Sequence, residues 1–255
     1  MKPILRLEAV SKSFGGVHAV RDVSLDVLPG TITSIIGPNG AGKTSLFNLI
    51  ARIYPVTSGK IEFRGEDITR TPTWQLARKG LGRTFQNLAL FRSESVVENL
   101  LVGCHATMQA GLLSACLFTP AARRAEAQAR ARVEDIIALL ELGPVRDMPV
   151  GTLAYGIQKR VELGRALAVQ PQLLLVDELV SGMNREETRE VARLIRHVRA
   201  QLGITVLMIE HDMGIVMEIS DQIAVLNFGH LIAQGSASDI ASNPKVIQAY
   251  LGDES

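Results

Sequence analysis

Residues 37–44 read Gly-Pro-Asn-Gly-Ala-Gly-Lys-Thr and match the pattern G-x-x-x-x-G-K-[ST] at every fixed position. The run TITSII (31–36) that precedes them is short and more continuously apolar than its surroundings, which is typical of a buried strand. The segment SLFNLIARI (45–53) that follows has apolar residues at helical spacing. Glycines let a backbone wrap closely around phosphate oxygens, and a helix N-terminus adds a favourable partial positive charge. The stretch therefore predicts a phosphate-binding loop between a strand and a helix.

The side chains of this loop have distinct predicted roles. Lys43 is expected to reach the outer phosphates of a nucleotide, and Thr44 is expected to ligate Mg²⁺, because a hard cation prefers oxygen ligands. Backbone N–H groups are expected to supply the other phosphate contacts. The predicted ATP-binding residues of the loop are Gly37, Pro38, Asn39, Gly40, Ala41, Gly42, Lys43 and Thr44.

A second motif supports this interpretation. The run LLLVDE (173–178) is an apolar strand that ends in two acidic residues. Asp177 is predicted to hold Mg²⁺ through water, and Glu178 is predicted to polarise the attacking water. Together with the phosphate loop, this pair predicts hydrolysis of ATP or GTP by in-line attack.

The wider pattern predicts an α/β fold. The segment VSLDVL (23–28) alternates apolar and polar residues, as a half-buried strand does. Buried-strand runs recur at 173–178, 204–210 and 223–229, and residues 184–201 have a helical pattern. Strands that alternate with helices favour a mainly parallel sheet covered on both faces.

The region from about 91 to 160 has a different character. Apolar residues recur at helical spacing between Val133 and Leu140, and no strand pattern is present, so the region predicts a helical subdomain. Residues 99–122 carry no formal charge. Their polar residues and glycines argue against a transmembrane helix, which needs about 20 predominantly apolar residues. They favour a surface that docks onto something apolar.

Composition argues against several other classes of protein. The 255 residues include 27 Lys+Arg and 26 Asp+Glu, and 47% are hydrophobic. A net charge of +1 argues against a dedicated nucleic-acid binder, and this balance argues against disorder. Cys104 and Cys116 cannot form a disulfide framework, which favours the cytosol. The N-terminus predicts no signal peptide, because Arg6 and Glu8 break its apolar run.

An ordered series of motifs makes the chain resemble the ATP-binding subunits of ABC transporters. Besides the two motifs described above, the series comprises TFQ (84–86), LAYGIQKR (153–160), SGMN (181–184) and IEHDM (209–213). The resemblance covers the whole chain and implies a single ABC ATPase domain over residues 1–255.

That resemblance also implies the architecture. The expected fold is a P-loop NTPase with a RecA-like three-layer core and an antiparallel β subdomain, formed by residues 1–90 and 161–255. A helical signature subdomain at about 91–160 is expected as an insertion into this core.

Further site residues follow from the resemblance. Gln86 resembles the glutamine that contacts Mg²⁺ and the attacking water and senses the membrane partner. His211 resembles the switch histidine that holds the γ-phosphate. Phe14 resembles the aromatic residue that stacks on adenine, a contact worth roughly 1 kcal/mol. Ser45 is expected to contact the α-phosphate.

The signature motif departs from the family's LSGGQ. The corresponding residues Leu153, Ala154, Tyr155 and Gly156 are expected to face the nucleotide of a second ATPase subunit, and residue 157 is an isoleucine. Ala154 lacks the hydroxyl that would donate to that nucleotide, a loss worth roughly 1.5–3 kcal/mol. Leu179 stands where a proline usually follows the catalytic glutamate, and Asn184 stands where many relatives have aspartate.

The resemblance is strongest to the branched-chain amino acid importer branch. It rests on FGGVHAVRDVSL (14–25), on LFRSESVVENLLV (90–102) with the insertion at 111–129, and on the segment from 209 to 252. It implies a second ATPase subunit that is a different chain, two transmembrane permease subunits and an external solute-binding protein. The implied location is the cytoplasmic face of the bacterial inner membrane, as a peripheral subunit.

Three alternatives remain open from the sequence. The ATPase of a lipopolysaccharide exporter has similar strands but lacks the insertion at 111–129. A soluble ABC ATPase that acts on DNA or ribosomes would carry long coiled coils or two ATPase domains. A nucleotide-binding module without turnover is disfavoured by the intact Lys43, Asp177 and Glu178.

Overall fold

The computed structural model describes residues 1–84, 90–105 and 119–251. It shows an α/β P-loop NTPase fold in which the described strands form two sheets. The strands are β1 (Leu5–Phe14), β2 (Val17–Val27), β3 (Ile32–Ile36), β4 (Ser58–Phe63), β5 (Glu66–Asp67), β6 (Leu81–Arg83), β7 (Leu173–Asp177), β8 (Thr205–Ile209), β9 (Gln222–Asn227) and β10 (His230–Gly235). The helices are α1 (Lys43–Ile50), α2 (Thr73–Lys79), α3 (Val96–His105), α4 (Pro120–Leu139), α5 (Tyr155–Leu167), α6 (Arg185–Leu202), α7 (Met213–Ile219), α8 (Ala237–Ala241) and α9 (Pro244–Leu251).

The larger sheet is mainly parallel and has the strand order β10-β9-β3-β8-β7-β6. The pairs β3·β8, β3·β9, β7·β8 and β6·β7 are parallel, and only β10 runs antiparallel to its neighbour. Asp177 at the end of β7 lies opposite Ile209 at the end of β8. Because parallel strands end at the same edge, the segments that follow β3, β7 and β8 are brought together there.

Both faces of this sheet are buried. Along β7, Leu173 and Leu175 pack into one hydrophobic cluster, while Leu174 and Val176 pack into another on the opposite face. Strand β8 alternates in the same way between the two clusters. This explains why the strand runs are continuously apolar in the sequence, since a parallel sheet covered on both faces needs apolar residues at every position.

The smaller sheet is antiparallel and has the order β2-β1-β4-β5. Its apolar face, which includes Val23, Leu25 and Val27, shares a cluster with α1 and with one face of the larger sheet. Helix α1 contributes Leu46 and Phe47 to that cluster, and both are fully buried. The two sheets therefore enclose the helix that follows the phosphate loop, which gives the core its layers.

The described residues between 90 and 160 form helices α3, α4 and α5 and two short 3-10 turns, Gly143–Val145 and Val150–Thr152. They pack into the cluster on the other face of the larger sheet. The boundary of this subdomain stays a prediction. Within the part of the chain that the structure describes, no helix is long and apolar enough to cross a membrane.

Most of the predicted elements are confirmed, with shifts at their ends. The predicted strand 223–229 is too long at its C-terminal end, because β9 stops at Asn227 and Phe228 and Gly229 form a tight turn into β10. Both turn residues have positive φ, 44° at Phe228 and 82° at Gly229, which an extended strand cannot accommodate. The sequence pattern predicted a longer strand because Phe228 is apolar, although its side chain is exposed in the structure.

Truncation of Leu207 should show how strongly the fold depends on the central strand. Leu207 in β8 is fully buried, so Leu207→Ala should lower the free energy of unfolding by about 2–5 kcal/mol. The control is Leu202→Ala, at a position that is 47% exposed, which should cost about 0.5 kcal/mol or less. Chemical denaturation of both variants measures this difference, and equal losses would contradict the assigned core.

Candidate active site

The loop between β3 and α1 approaches its surroundings so closely that two positions require glycine. A Cβ on Gly37 would lie 2.0 Å from the carbonyl oxygen of Leu226, and a Cβ on Gly42 would lie 2.3 Å from that of Ala19. Both glycines also have positive φ, 148° and 98°. The turn after β9 supports the loop through a 3.0 Å hydrogen bond from the N–H of Gly229 to Ala41 O.

Lys43 lies at the start of α1 and is 5% exposed. Its Nζ donates to the carbonyl oxygens of Gly37 and Pro38, at 2.7 and 3.0 Å. Burial lowers the pKa of Lys43, and the nearby carboxylate of Glu178 opposes that shift. The ammonium is therefore held inside the loop, where it can exchange backbone carbonyls for phosphate oxygens.

A cavity of about 450 Å³ opens beside this loop. It is lined by the loop backbone, by the first residues of α1 and by side chains from two other strand ends. Its walls include Arg21, Lys43, Thr44, Ser45, Glu178 and His211. The structure thus brings the predicted phosphate loop, the predicted general base and the predicted switch histidine to one site.

Asp177 is 1% exposed at the end of β7. Its Oδ2 accepts a 2.9 Å hydrogen bond from Arg83 Nη2, and its backbone N–H donates to Thr84 Oγ1. Burial raises the pKa of Asp177, while Arg83 opposes the rise. The second oxygen, Oδ1, is buried without a hydrogen-bond partner among the described residues. A buried carboxylate oxygen left open in this way fits a role in holding a hydrated divalent cation.

Glu178 and His211 meet across the ends of β7 and β8. His211 Nε2 and Glu178 Oε1 are 2.7 Å apart, and the N–H of Glu178 donates to Ile209 O. Glu178 has φ of 49°, in the left-handed region, which costs of order 1–3 kcal/mol for a residue other than glycine. The chain holds this strain where the side chain must point into the cavity.

Glu210 precedes the histidine and is 3% exposed. Its Oε1 accepts a 3.2 Å hydrogen bond from the backbone N–H of Val180. Burial raises the pKa of Glu210 to about 7, although the backbone N–H groups around the carboxylate oppose the rise. The negative charge of nearby Glu178 also raises the pKa of Glu210.

The signature segment lies at the N-terminus of α5. Ala154 is the N-cap of this helix and provides no side-chain cap, while Gln158 Nε2 donates to Leu153 O at 2.7 Å. Tyr155 is 43% exposed. Ile157 packs against the hydrophobic cluster of the helical region, which accounts for an apolar residue where the family has glutamine. The roles of Leu153, Ala154, Tyr155 and Gly156 toward a second subunit stay predictions.

Asn184, which stands where many relatives have aspartate, is the N-cap of a helix. It caps helix α6 by accepting from the N–H groups of Glu186 and Glu187, at 2.9 and 3.0 Å. Glu187 completes a capping box by accepting from the N–H of Asn184. An asparagine caps a helix about as well as an aspartate, so the loop retains a defined end.

The predicted roles of Phe14 and Gln86 are not tested by the described structure. The ring of Phe14 packs edge-on against Tyr54, with 5.2 Å between centroids, and Phe14 is not among the residues lining the cavity. Its stacking on adenine stays a prediction. Gln86 lies outside the described residues, so its predicted contacts also stay a prediction.

Sequence reasoning missed Arg83, Glu210 and Tyr250. Burial raises the pKa of Tyr250 on α9, and a hydrogen bond with the Gly37 backbone opposes that rise. Each of the three contacts a site residue that is close in space, and Arg83 and Tyr250 are remote in sequence from those they contact. The signal for Glu210 was its position, since an acidic residue at the end of a buried strand needs partners.

Comparisons with known proteins agree with this geometry. Residues 20–181 match the family described as "ABC transporter", and residues 230–255 match "Branched-chain amino acid ATP-binding cassette transporter". The chain is 42% identical to the high-affinity branched-chain amino acid transport ATP-binding protein LivG of Escherichia coli K12 over 99% of both chains. It is also 42% identical to the BraF protein of the same description from Pseudomonas aeruginosa, again over 99% of both.

A solved structure supports the same grouping. The crystal structure of an ABC transporter ATP-binding cassette in its ADP conformation superimposes with a TM-score of 0.86 at 31% identity. The match covers 99% of this chain and 100% of that one.

A matched pair of glycine substitutions should test the loop geometry. Gly42→Ala places a Cβ against Ala19 O, whereas Gly40→Ala meets no atom within 4 Å; both positions have positive φ, so backbone strain is similar. We expect Gly42→Ala to weaken binding of a fluorescent ATP analogue at least about tenfold more than Gly40→Ala, a difference of 1.4 kcal/mol. Equal affinities for the two variants would contradict the close approach at Gly42.

The pH dependence of stability should report the burial of Glu210. Folding raises the pKa of Glu210 from 4.5 to about 7. The contribution of the protonated Glu210 to stability is therefore complete below pH 4.5 and is lost as the pH rises through 7. The free energy of unfolding should fall by up to about 3 kcal/mol more in the wild type than in Glu210→Gln between pH 5 and 8. Urea denaturation at each pH measures this, and parallel pH profiles would contradict it.

Proposed function

This chain belongs to the ABC transporter family of ATP-binding subunits, and we propose that it binds and hydrolyses ATP to energise the import of branched-chain amino acids or related small polar solutes. The observation that carries the proposal is the cavity shared by the phosphate loop, Glu178 and His211. The LivG and BraF relatives, named as branched-chain amino acid transport proteins, support the choice of cargo.

Chemistry at the site follows from its residues. The loop N–H groups and Lys43 bind the β- and γ-phosphates and offset their charge. Glu178 accepts a hydrogen bond from the attacking water and orients it in line with the γ-phosphate. His211 Nε2 lies 2.7 Å from Glu178 Oε1, and both residues line the cavity, so in this proposal His211 donates to the γ-phosphate after Glu178 turns toward water.

Thr44, Gln86 and Asp177 are the residues that would hold Mg²⁺. A cation held there would neutralise negative charge that develops on the phosphates during transfer. The open Oδ1 of Asp177 and the exposed hydroxyl of Thr44 at the cavity support this assignment. The Arg83 contact keeps the Asp177 carboxylate oriented from its other oxygen.

One chain supplies half of each ATP site in the proposed assembly. The phosphate loop of one subunit faces the signature residues of the other, where Ala154 cannot donate a hydroxyl. Backbone N–H groups and the helix dipole at the N-terminus of α5 remain available to phosphate. The second ATPase is proposed to be a different chain, which makes the two sites unequal.

An apolar groove of about 300 Å³ is proposed to receive the membrane subunit. It lies between α2, β6, α3 and α5. In the sequence, β6 ends just before the segment that carries Gln86. Its walls include Ile53, Leu76, Leu81, Val102, Ala166 and Val169. Val102 belongs to the uncharged span predicted to dock onto an apolar partner.

These contacts place the chain, in this proposal, on the cytoplasmic face of the inner membrane as a peripheral subunit. Two transmembrane permease subunits carry the solute, and an external binding protein delivers it. ATP and the loaded binding protein bias the same conformational equilibrium from opposite sides of the membrane. Nucleic acid has no part in the proposal.

The assembly can be tested by trapping it. Tagged Glu178→Gln, held with ATP and purified from detergent-solubilised membranes, should bring down two multi-span subunits and a second ATPase. An untagged preparation and a tagged Lys43→Ala chain, which is unable to hold the phosphates, serve as controls. Recovery of the tagged chain alone, or with ribosomal or DNA-repair proteins, would overturn the transport proposal.

The two ATP sites should respond unequally to loss of their bases. Glu178→Gln should lower kcat of the purified complex by about 10²–10⁴-fold while retaining ATP binding, because only the base is lost. The site that uses Ala154 is the weaker one, so mutation of the partner's catalytic glutamate should reduce kcat less. Equal losses in the two single variants would contradict the asymmetry.

A further inference from the structure

Glu210 joins the two strand ends of the active site. It lies directly between the end of β8 and His211, and its Oε1 accepts a 3.2 Å hydrogen bond from the N–H of Val180, two residues after Glu178. It therefore links the segment after the base to the segment that carries the histidine. The side chain is 3% exposed, so water does not compete for this donor.

The segment after Glu178 needs such an anchor. Glu178 adopts a left-handed conformation with φ of 49°, and such a conformation persists only where the surroundings fix it. The N–H of Val180 lies in a buried stretch, since Leu179 is 1% and Val180 6% exposed. Without an acceptor, this donor would be left unsatisfied and the loop could relax toward a conformation without strain.

We propose that Glu210 is a positioning residue for ATP hydrolysis, which holds the Glu178 and His211 side chains in register because it precedes His211 and accepts the backbone N–H of Val180 from the segment after Glu178. It does not touch the substrate. The proposal rests on the ATPase function proposed above. It extends that function to a residue that lies outside the cavity and carries its effect through the backbone.

The kinetic test measures ATP hydrolysis by the purified membrane complex with Glu210→Gln and Glu210→Leu. Gln is a neutral and weaker acceptor for the Val180 N–H and Leu is none, so kcat should fall at least tenfold for Gln and further for Leu. The KM for ATP should stay within twofold, because Lys43 and the phosphate loop are untouched. The control is Glu218→Gln, which alters an exposed acid paired with Arg196 on α6, and should change kcat less than twofold.

A double-mutant cycle separates positioning from a loss of stability. If Glu210 acts through Glu178, then adding Glu210→Gln to Glu178→Gln should lower the residual rate by less than twofold. Multiplicative losses, an unchanged kcat in both Glu210 variants, or a rise in KM that matches the fall in kcat would each overturn the proposal.

Hydrogen exchange tests the same claim independently of turnover. In the full chain, Glu210→Gln should speed amide exchange of the segment 179–183 and of His211 at least tenfold, whereas Glu218→Gln should leave both unchanged. Unchanged exchange in Glu210→Gln overturns the inference. Absence of hydrolysis in the wild-type complex, with faster exchange in Glu210→Gln, would instead refute the ATPase function and keep the anchor.

Discussion

The parallel pairing of β3, β8 and β7 is the constraint on which the rest of this structure depends. These neighbouring strands carry no functional side chain inside the sheet except Asp177, yet each delivers a different part of the site at its carboxyl end. The phosphate loop follows β3, the carboxylates end β7, and His211 follows β8. The buried apolar runs fix the register, so the chemistry is positioned by the hydrophobic core rather than by the polar groups themselves.

At this edge the polar groups are held by one another. Lys43 donates to carbonyls of its own loop, Asp177 pairs with Arg83, and Glu178 contacts His211. Each of these contacts occupies a group that the proposed hydrolysis uses. Binding of nucleotide can replace the carbonyl partners of Lys43 with phosphate oxygens at little desolvation cost, because its ammonium is already buried and oriented. Glu210 and the strained backbone at Glu178 are proposed to maintain the orientation of the base.

The sequence predicted what is contiguous and missed what is not. Residues 37–44 form a local pattern, and the acidic pair and the histidine directly follow apolar strands, so motif and position were enough to locate them. Arg83 contacts Asp177 across 94 positions, which no local pattern reveals. The strand ending at Asn227 was overextended because Phe228 is apolar yet exposed. Ile157 could be explained only once its packing against the helical region was visible.

Uptake of leucine by whole cells is the decisive test of ATP-driven import by this chain. Cells that lack this chain would be complemented with the wild type, with Glu178→Gln or with empty vector, and initial uptake of radiolabelled leucine would be measured at equal expression. We expect the wild type to restore uptake and Glu178→Gln not to restore it, while uptake of an unrelated solute is the same in all three. Leucine uptake that is equally restored by Glu178→Gln would contradict ATP hydrolysis by this chain as the source of energy for transport.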